Sequence, residues 1–356
     1  MGIHTSVIKI NDSGFDEFIS ELDPEIVVFD RFMTEEQFGW RITEYCPSSL
    51  RILNTEDLHS LRKGRQDALK SGEDFSDSYL FNDLAKREIA SIYRSDLSLI
   101  ISEAEMTFLV DKFKIPEPIL HYSPFMIDEV SSESQLLLPG YNQRRHFMTI
   151  GNFLHAPNLD AVYHLKETVW PKIKSEINDA ELHIYGAYMP DKLKQLHKEK
   201  EGFLIKGFVE DVNTCMQNYR ICLAPVRFGA GLKGKIVDAM KNGTPCIMSS
   251  VAAEGLFGIG PINGFVEDQP SKFADQAVKL YNDFEVWKRC QHNGYTTVKN
   301  RFNKNKIRRE LLETISSLKE NLNTHRLHNF TGRMLEHHTM QSTKYMSRWI
   351  EAKNKK

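Results

Sequence analysis

Three glycines and three cations fall together where one apolar run gives way to a helix. In YRICLAPVRFGAGLKGKIVDAMKNGTPCIMSSVAAEGL, Tyr219 to Leu256, a strand predicted over 221–225 leads to Gly229, Gly231 and Gly234, with Arg227, Lys233 and Lys235 among them. A helix predicted over 235–241 follows. Glycines let backbone N–H groups approach an anion closely, and a helix amino end adds partial positive charge. Such a segment suits the binding of a phosphate-bearing ligand.

Several readings of the segment stand side by side. GAGLKG fits the Gly-x-Gly-x-x-Gly dinucleotide pattern, with the acidic Glu254 twenty residues past Gly234. Against it, Pro225-Val226-Arg227-Phe228 separates the strand from the first glycine, and about a hundred residues remain to complete that fold. GAGLKGK also fits Gly-x-x-x-x-Gly-Lys, but Ile236 stands where a magnesium-binding Ser or Thr belongs. A plain glycine turn joining strand to helix is a third reading.

A fourth is a family resemblance. The segment resembles the donor-site region of GT-B glycosyltransferases of family 4 and close relatives, in which an Arg-x-Gly-x-Gly-x-Lys loop leads into a helix bearing an acidic residue and then Gly-x-Pro. Arg227, Gly229, Gly231, Lys233, Asp238, Gly243 and Pro245 stand at those places, with AAEGL, including Glu254, after the next strand. Thr149 to Ala187 resembles the opening of the same domain, IKGFVEDV its third strand and loop, and LRILNTEDLHSLR and REIASIYRSDLSLIISEAE segments of an N-terminal domain.

The resemblance implies a sugar transferred from a nucleoside-diphosphate donor held between two Rossmann-like domains. Bond cleavage builds negative charge on the diphosphate, which a metal or fixed cations and helix dipoles stabilise. No Asp-x-Asp pair occurs in the chain, so Arg227 and Lys233 are the expected substitutes and no metal or other cofactor is predicted. Asp238 is implied to contact the ribose, where most relatives have Glu. Ala230 stands where relatives often place a sugar-binding Glu, and the loop Gly151-Asn152-Phe153-Leu154-His155 lacks the usual Arg and Lys. Gly151, Asn152, His155, Gly229, Ala230, Gly231, Asp238 and Glu254 are the implied donor-binding positions.

In the first half, NTEDLH ends a strand where relatives place a catalytic histidine. His59 is the candidate, Asp57 its competitor, and a helix-flanking role for His59 the alternative. His183 reads as a core histidine, and His337-His338 as decoration of a basic helix. SVIKINDSGF does not resemble the glycine-rich opening of relatives, so the first domain is expected to lack its opening units. The two resulting functions are a metal-independent, retaining glycosyltransferase and a non-catalytic nucleotide-sugar-binding protein with a degraded acceptor side.

The elements that must position these residues alternate as short apolar runs and helices, the pattern of α/β folds with parallel sheets. Strands are predicted over 7–10, 26–30, 50–55, 97–102 and 119–123, then over 147–153, 181–186, 203–208, 221–225, 245–249 and 264–267. Apolar residues at Leu159, Val162, Leu165, Val169, Ile173 and Ile177 mark one helix face, which Pro171 should end or kink. The predicted organisation is an N-terminal Rossmann-like domain over 1–128, a linker over 129–145, a nucleotide-sugar-binding domain over 146–300 and a basic helical tail over 301–356. The fold class is therefore α/β, GT-B, with a helical C-terminal extension.

The 356 residues carry 46 Lys plus Arg and 48 Asp plus Glu, an even balance that argues against a nucleic-acid partner. From Lys304 onward the count is 12 against 5, a separate basic unit. It reads either as a solvated charged helix or as a weak peripheral contact for anionic membrane. Five cysteines without a Cys-x-x-Cys spacing read as reduced thiols, and no segment has the make-up of a leader or a membrane span. A cytoplasmic location is expected, with a nucleotide sugar and an unidentified glycan, lipid or protein acceptor as partners.

Overall fold

The computed structural model describes residues 2–354 and divides into two compact units. The first takes in the chain up to Gly64, Ser76–Ser123 and the chain from Arg309; the second takes in Arg65–Phe75 and Pro124–Arg308.

The first unit holds a parallel sheet in the order β1-β2-β3-β4, formed by β1 (Ile26–Asp30), β2 (Leu50–Asn54), β3 (Leu97–Ile100) and β4 (Leu120–Tyr122). Leu50, Ile52 and Leu97 are buried on it against partly buried Ile315, Leu318 and Leu322. The strand predicted over 7–10 does not form. Those residues have no sheet partner, and Val7 is fully exposed (100%), so no apolar face repays the ordering of the backbone.

The second unit holds six parallel strands: β5 (Arg145–Ile150), β6 (Leu182–Tyr185), β7 (Phe203–Gly207), β8 (Tyr219–Ala224), β9 (Cys246–Met248) and β10 (Gly264–Val266). Their order is β10-β9-β8-β5-β6-β7, so the chain winds one way from β5 to β7, returns to β8 beside β5, and winds the other way to β10. Doubly wound sheets bind ligands where that direction reverses, outside the carboxyl ends of the strands, which here is between β5 and β8. Phe147, Leu182, Ile184, Phe203, Ile221 and Leu223 are wholly buried on this sheet.

The helix Ala156–His164 passes through a π turn, Leu165–Val169, into the helix Trp170–Glu176. Pro171 sits just past the wide turn, which relieves the missing N–H and the ring clash, so the proline modifies the helix without ending it. Val162, Leu165, Val169, Ile173 and Ile177 are all buried, as their spacing predicts.

Two predicted boundaries are displaced. Residues 129–145 belong to the second unit: they contain the helix Ser132–Leu137, the turn Tyr141–Gln143 and wholly buried Arg144. Arg144 donates to the Pro139 and Asn242 carbonyls and to Thr244 Oγ1, and burial brings its pKa down to about 10. Nor is the basic C-terminal segment a separate unit, because from Arg309 it packs within the first. Arg326 donates to both oxygens of buried Asp96 at 2.7 Å, and Lys319 and Lys344 pair with Glu25 and Glu44. Burial alone would raise the Asp96 pKa, but the Arg326 hydrogen bonds and the Arg51 and Arg326 charges hold it below its ordinary value.

Candidate active site

The residues expected to bind a donor gather around the carboxyl ends of β5 and β8. After β5 the chain runs through Gly151 and Asn152 to exposed His155, which stands at the amino end of the helix Ala156–His164. Asn158 closes this loop, donating to the Asn152 carbonyl at 2.9 Å. Gly151 is required by the close fit, since a Cβ there would lie 2.6 Å from Asn158 Cγ. Gly186, at the end of β6 with φ +155°, is tighter still: a Cβ would fall 1.9 Å from the Gly151 carbonyl oxygen.

After β8 the glycine loop reaches the helix Gly234–Lys241, whose amino end has no side-chain cap. Gly231 has φ +64°, the left-handed conformation that glycine adopts without strain. Lys233 folds back over this loop, donating to the Ala230 carbonyl at 3.2 Å and the Gly231 carbonyl at 2.9 Å. Lys235 reaches across to Asn158 Oδ1 at 2.9 Å and so joins the two loops. Burial, with no carboxylate partner among the described residues, brings its pKa down to about 8. An ammonium held in that state is poised to gain from an incoming anion.

Arg227 has a carboxylate partner in the structure. Asp160, on the helix after β5, takes two hydrogen bonds from its guanidinium, one from Nε at 2.9 Å, so the cation expected to be open to a diphosphate already has a carboxylate partner. That pair raises the Arg227 pKa further. Beside it opens a cavity of ≈230 Å³, lined by His164, Pro225, Ser249, Glu267, Asp268 and Phe273 among others. Glu254 is engaged too. Within the second unit Arg65 donates to both its carboxylate oxygens at 2.7 and 2.8 Å and to the Gly229 carbonyl at 2.8 Å, which pins the glycine loop. Asp238, half-buried on the helix Gly234–Lys241, makes no side-chain hydrogen bond or ion pair among the described residues, and burial raises its pKa.

In the first unit, Asp57 and His59 lie in the turn after β2. Asp57 pairs with Arg62, and its other oxygen is 3.4 Å from His59 Nε2. The His59 ring stands edge-on to Phe32 at 5.4 Å, and burial lowers its pKa although Asp57 opposes the shift. Its backbone begins the helix His59–Ser71, but the cap comes from Glu88, which accepts from His59 N at 2.8 Å, Ser60 N at 3.1 Å and Ser60 Oγ at 2.6 Å. Burial pushes the Glu88 pKa up to about 7 despite those donors. Between β2 and this pair, Glu56 has φ +59°, a conformation non-glycine residues seldom adopt and one found disproportionately at functional turns.

His183 and the pair His337-His338 lie elsewhere. His183 is a buried core residue, between Glu181 at 2.7 Å and Tyr219 Oη at 2.6 Å. His337 and His338 are exposed on the helix Phe330–Asn354. Asn158, Asp160, Arg65, Lys235 and Glu88 emerge as the residues that hold the candidate groups. Only Lys235 had a sequence signal, its place beside the glycines.

Residues 144–283 match the family Glycosyl transferases group 1. No curated protein sequence matches the chain. Among solved structures, a TarM variant of S. aureus in complex with UDP and alpha-GlcNAc-glycerol superposes with TM-score 0.65 at 12% identity, over 84% of this chain and 57% of that one. The pneumococcal O-GlcNAc transferase GtfA, in complex with UDP and GlcNAc, gives 0.64 at 16% identity over 85% and 59%. Anabaena HepE, in complex with UDP and glucose, gives 0.65 at 14% identity over 86% and 81%. The chain thus spans less than two thirds of the length of TarM and GtfA. The chain has the GT-B glycosyltransferase fold, with residues 144–283 matching the glycosyl transferases group 1 family.

Proposed function

We propose that the chain is a metal-independent, retaining glycosyltransferase that takes a sugar from a nucleoside-diphosphate donor. The observation that carries this reading is the placement of Lys233 and Lys235 on the glycine loop at the β5–β8 reversal, next to an uncapped helix amino end. Leaving-group charge would develop on the diphosphate, where the two ammonium groups and the helix dipole stabilise it in place of a metal. Asp238, with no side-chain partner among the described residues, would accept from the ribose hydroxyls. His59, oriented by Asp57, is the proposed catalytic group of the first unit.

Arg227 takes a supporting role in this scheme, bracing the helix Ala156–His164 through Asp160. UDP is the leading donor nucleotide, because it is the one bound in the TarM, GtfA and HepE complexes. The acceptor is a glycan, lipid or protein. Five unpaired cysteines fit a reducing, cytoplasmic compartment, and no described helix is long and apolar enough to cross a membrane. Titration calorimetry of UDP, GDP and ADP in EDTA tests the donor half: one should bind without metal, and absence of binding by all three would overturn the proposal. Binding without turnover over a broad acceptor range would instead favour the non-catalytic reading.

A further inference from the structure

The helix Phe330–Asn354, part of the first unit, packs on the helices Phe32–Tyr45 and Asp83–Arg94. Inward it turns Glu336, which accepts from Thr43 and Arg51, Ser347, which accepts from Arg41, and Glu351, which accepts from the Ser13 N–H. Outward stand Phe330 (72% exposed), Met334 (46%), Tyr345 (58%), Met346 (58%) and Trp349 (60%). Phe330 and Met334 are four residues apart, as are Tyr345 and Trp349, and eleven residues, about three turns, separate Met334 from Tyr345. The two apolar pairs therefore span about 28 Å along the helix at 1.5 Å per residue, with exposed His338 and Gln341 between them.

Charge is sorted the same way. Arg333 and Lys353 are exposed and Arg348 pairs with Glu44 at 3.1 Å, while the only two acidic residues between 321 and 354, Glu336 and Glu351, are the ones turned inward. Lys353 lies over the Trp349 ring at 5.2 Å, so cation and aromatic share one surface. The solvent side of an amphipathic helix normally carries charged and polar residues; here exposed aromatic rings, methionines and cations stand among the histidines, Gln341 and Ser342, without one exposed acid.

We infer that this face is a docking surface for an anionic lipid bilayer. The helix lies in the plane of the interface, with Phe330, Tyr345 and Trp349 at headgroup depth and Arg333 and Lys353 against lipid phosphates. The inference is independent of the transferase proposal, since it rests on residues outside the candidate active site.

Trp349 supplies the readout. The other three tryptophans, Trp40, Trp170 and Trp287, are at most 3% exposed, so lipid reaches Trp349 first. The full chain should float with vesicles of phosphatidylcholine plus phosphatidylglycerol, with a blue shift of tryptophan emission, and should do neither with phosphatidylcholine alone. The double variant Tyr345→Ser/Trp349→Ser should abolish flotation, and Arg333→Gln/Lys353→Gln should lower partitioning about 30-fold, from the usual contribution of a basic side chain near an anionic surface. Trp349→Phe should keep flotation and lose the blue shift. Thermal unfolding in solution should be unchanged in all three. Absence of flotation with anionic vesicles, flotation unaffected by the two double variants, or a concentration-dependent blue shift without lipid, which marks self-association, would each overturn the inference. So would variant-sensitive binding to heparin in a chain that does not float.

Discussion

Lys235 carries a prediction in which stability and function move in opposite directions. Its pKa falls from 10.5 to about 8, a drop that corresponds to about 3 kcal/mol of folding free energy lost while the ammonium is kept. The sign follows from proton linkage. Between about pH 8 and 10.5 the unfolded chain holds a proton that the folded chain has released, so stability rises with pH across that window. Below about pH 8 the full cost is present. Lys235→Met keeps the side-chain length and removes the charge, but also removes the hydrogen bond to Asn158, worth about 1 kcal/mol. The net expectation at pH 7 is a gain of about 2 kcal/mol, or a melting temperature higher by about 6 °C for a unit of this size. The same variant should bind UDP at least ~10-fold more weakly, because a charge-assisted contact is lost. Scanning calorimetry at pH 7 and 9.5 with UDP titrations at pH 7 reads both effects, and the stability gap should narrow at the higher pH. A variant that melts lower than the parent and binds UDP equally well would refute the reasoning.

Gly186→Ala should cost at least about 3 kcal/mol in denaturant unfolding, because the new Cβ would sit 1.9 Å from the Gly151 carbonyl oxygen; a cost under about 1 kcal/mol would show that the two loops yield. Asp96→Ala leaves Arg51 and Arg326 facing each other without their shared carboxylate and should cost about 3–5 kcal/mol, with earlier proteolysis of the helix Leu322–His328; an unaltered melting curve would contradict it. Glu88 keeps its proton up to about pH 7, whereas an exposed glutamate loses it near 4.5, so its contribution makes stability fall as pH rises through that window. Glu88→Gln should flatten that fall by up to about 3 kcal/mol, and an unchanged pH profile of unfolding would remove the assignment.

The glycine loop was legible because its chemistry is local: three glycines, adjacent cations and the strand and helix on either side all lie within a short stretch. The strands of the second unit were legible from their apolar runs, though their ends shift by one to three residues, as with β5, which begins at Arg145 and stops at Ile150. Their order was not, since hydrogen-bonded pairing of β5 with β8 is a tertiary fact. The same limit hid Asp160, 67 residues from the arginine it binds, and Arg65, 189 residues from Glu254. A free cation and a paired one look identical in sequence. Net charge misled in the C-terminal segment because the acids that receive Arg326 and Lys344, Asp96 and Glu44, lie in distant stretches of the first unit. The isolated run over 7–10 misled because β-propensity acts only through a neighbouring strand, and none of the described residues supplies one.

The central claim, that the cations of the glycine loop stabilise a departing nucleoside diphosphate without a metal, is tested most directly by turnover. A panel of UDP-, GDP- and ADP-sugars incubated with the full chain and a mixed acceptor set, with and without EDTA, should release one nucleoside diphosphate at the same rate in both conditions, with the anomeric configuration retained in the product. Release that stops in EDTA and returns with a divalent cation, or inversion at the anomeric carbon, would contradict the account.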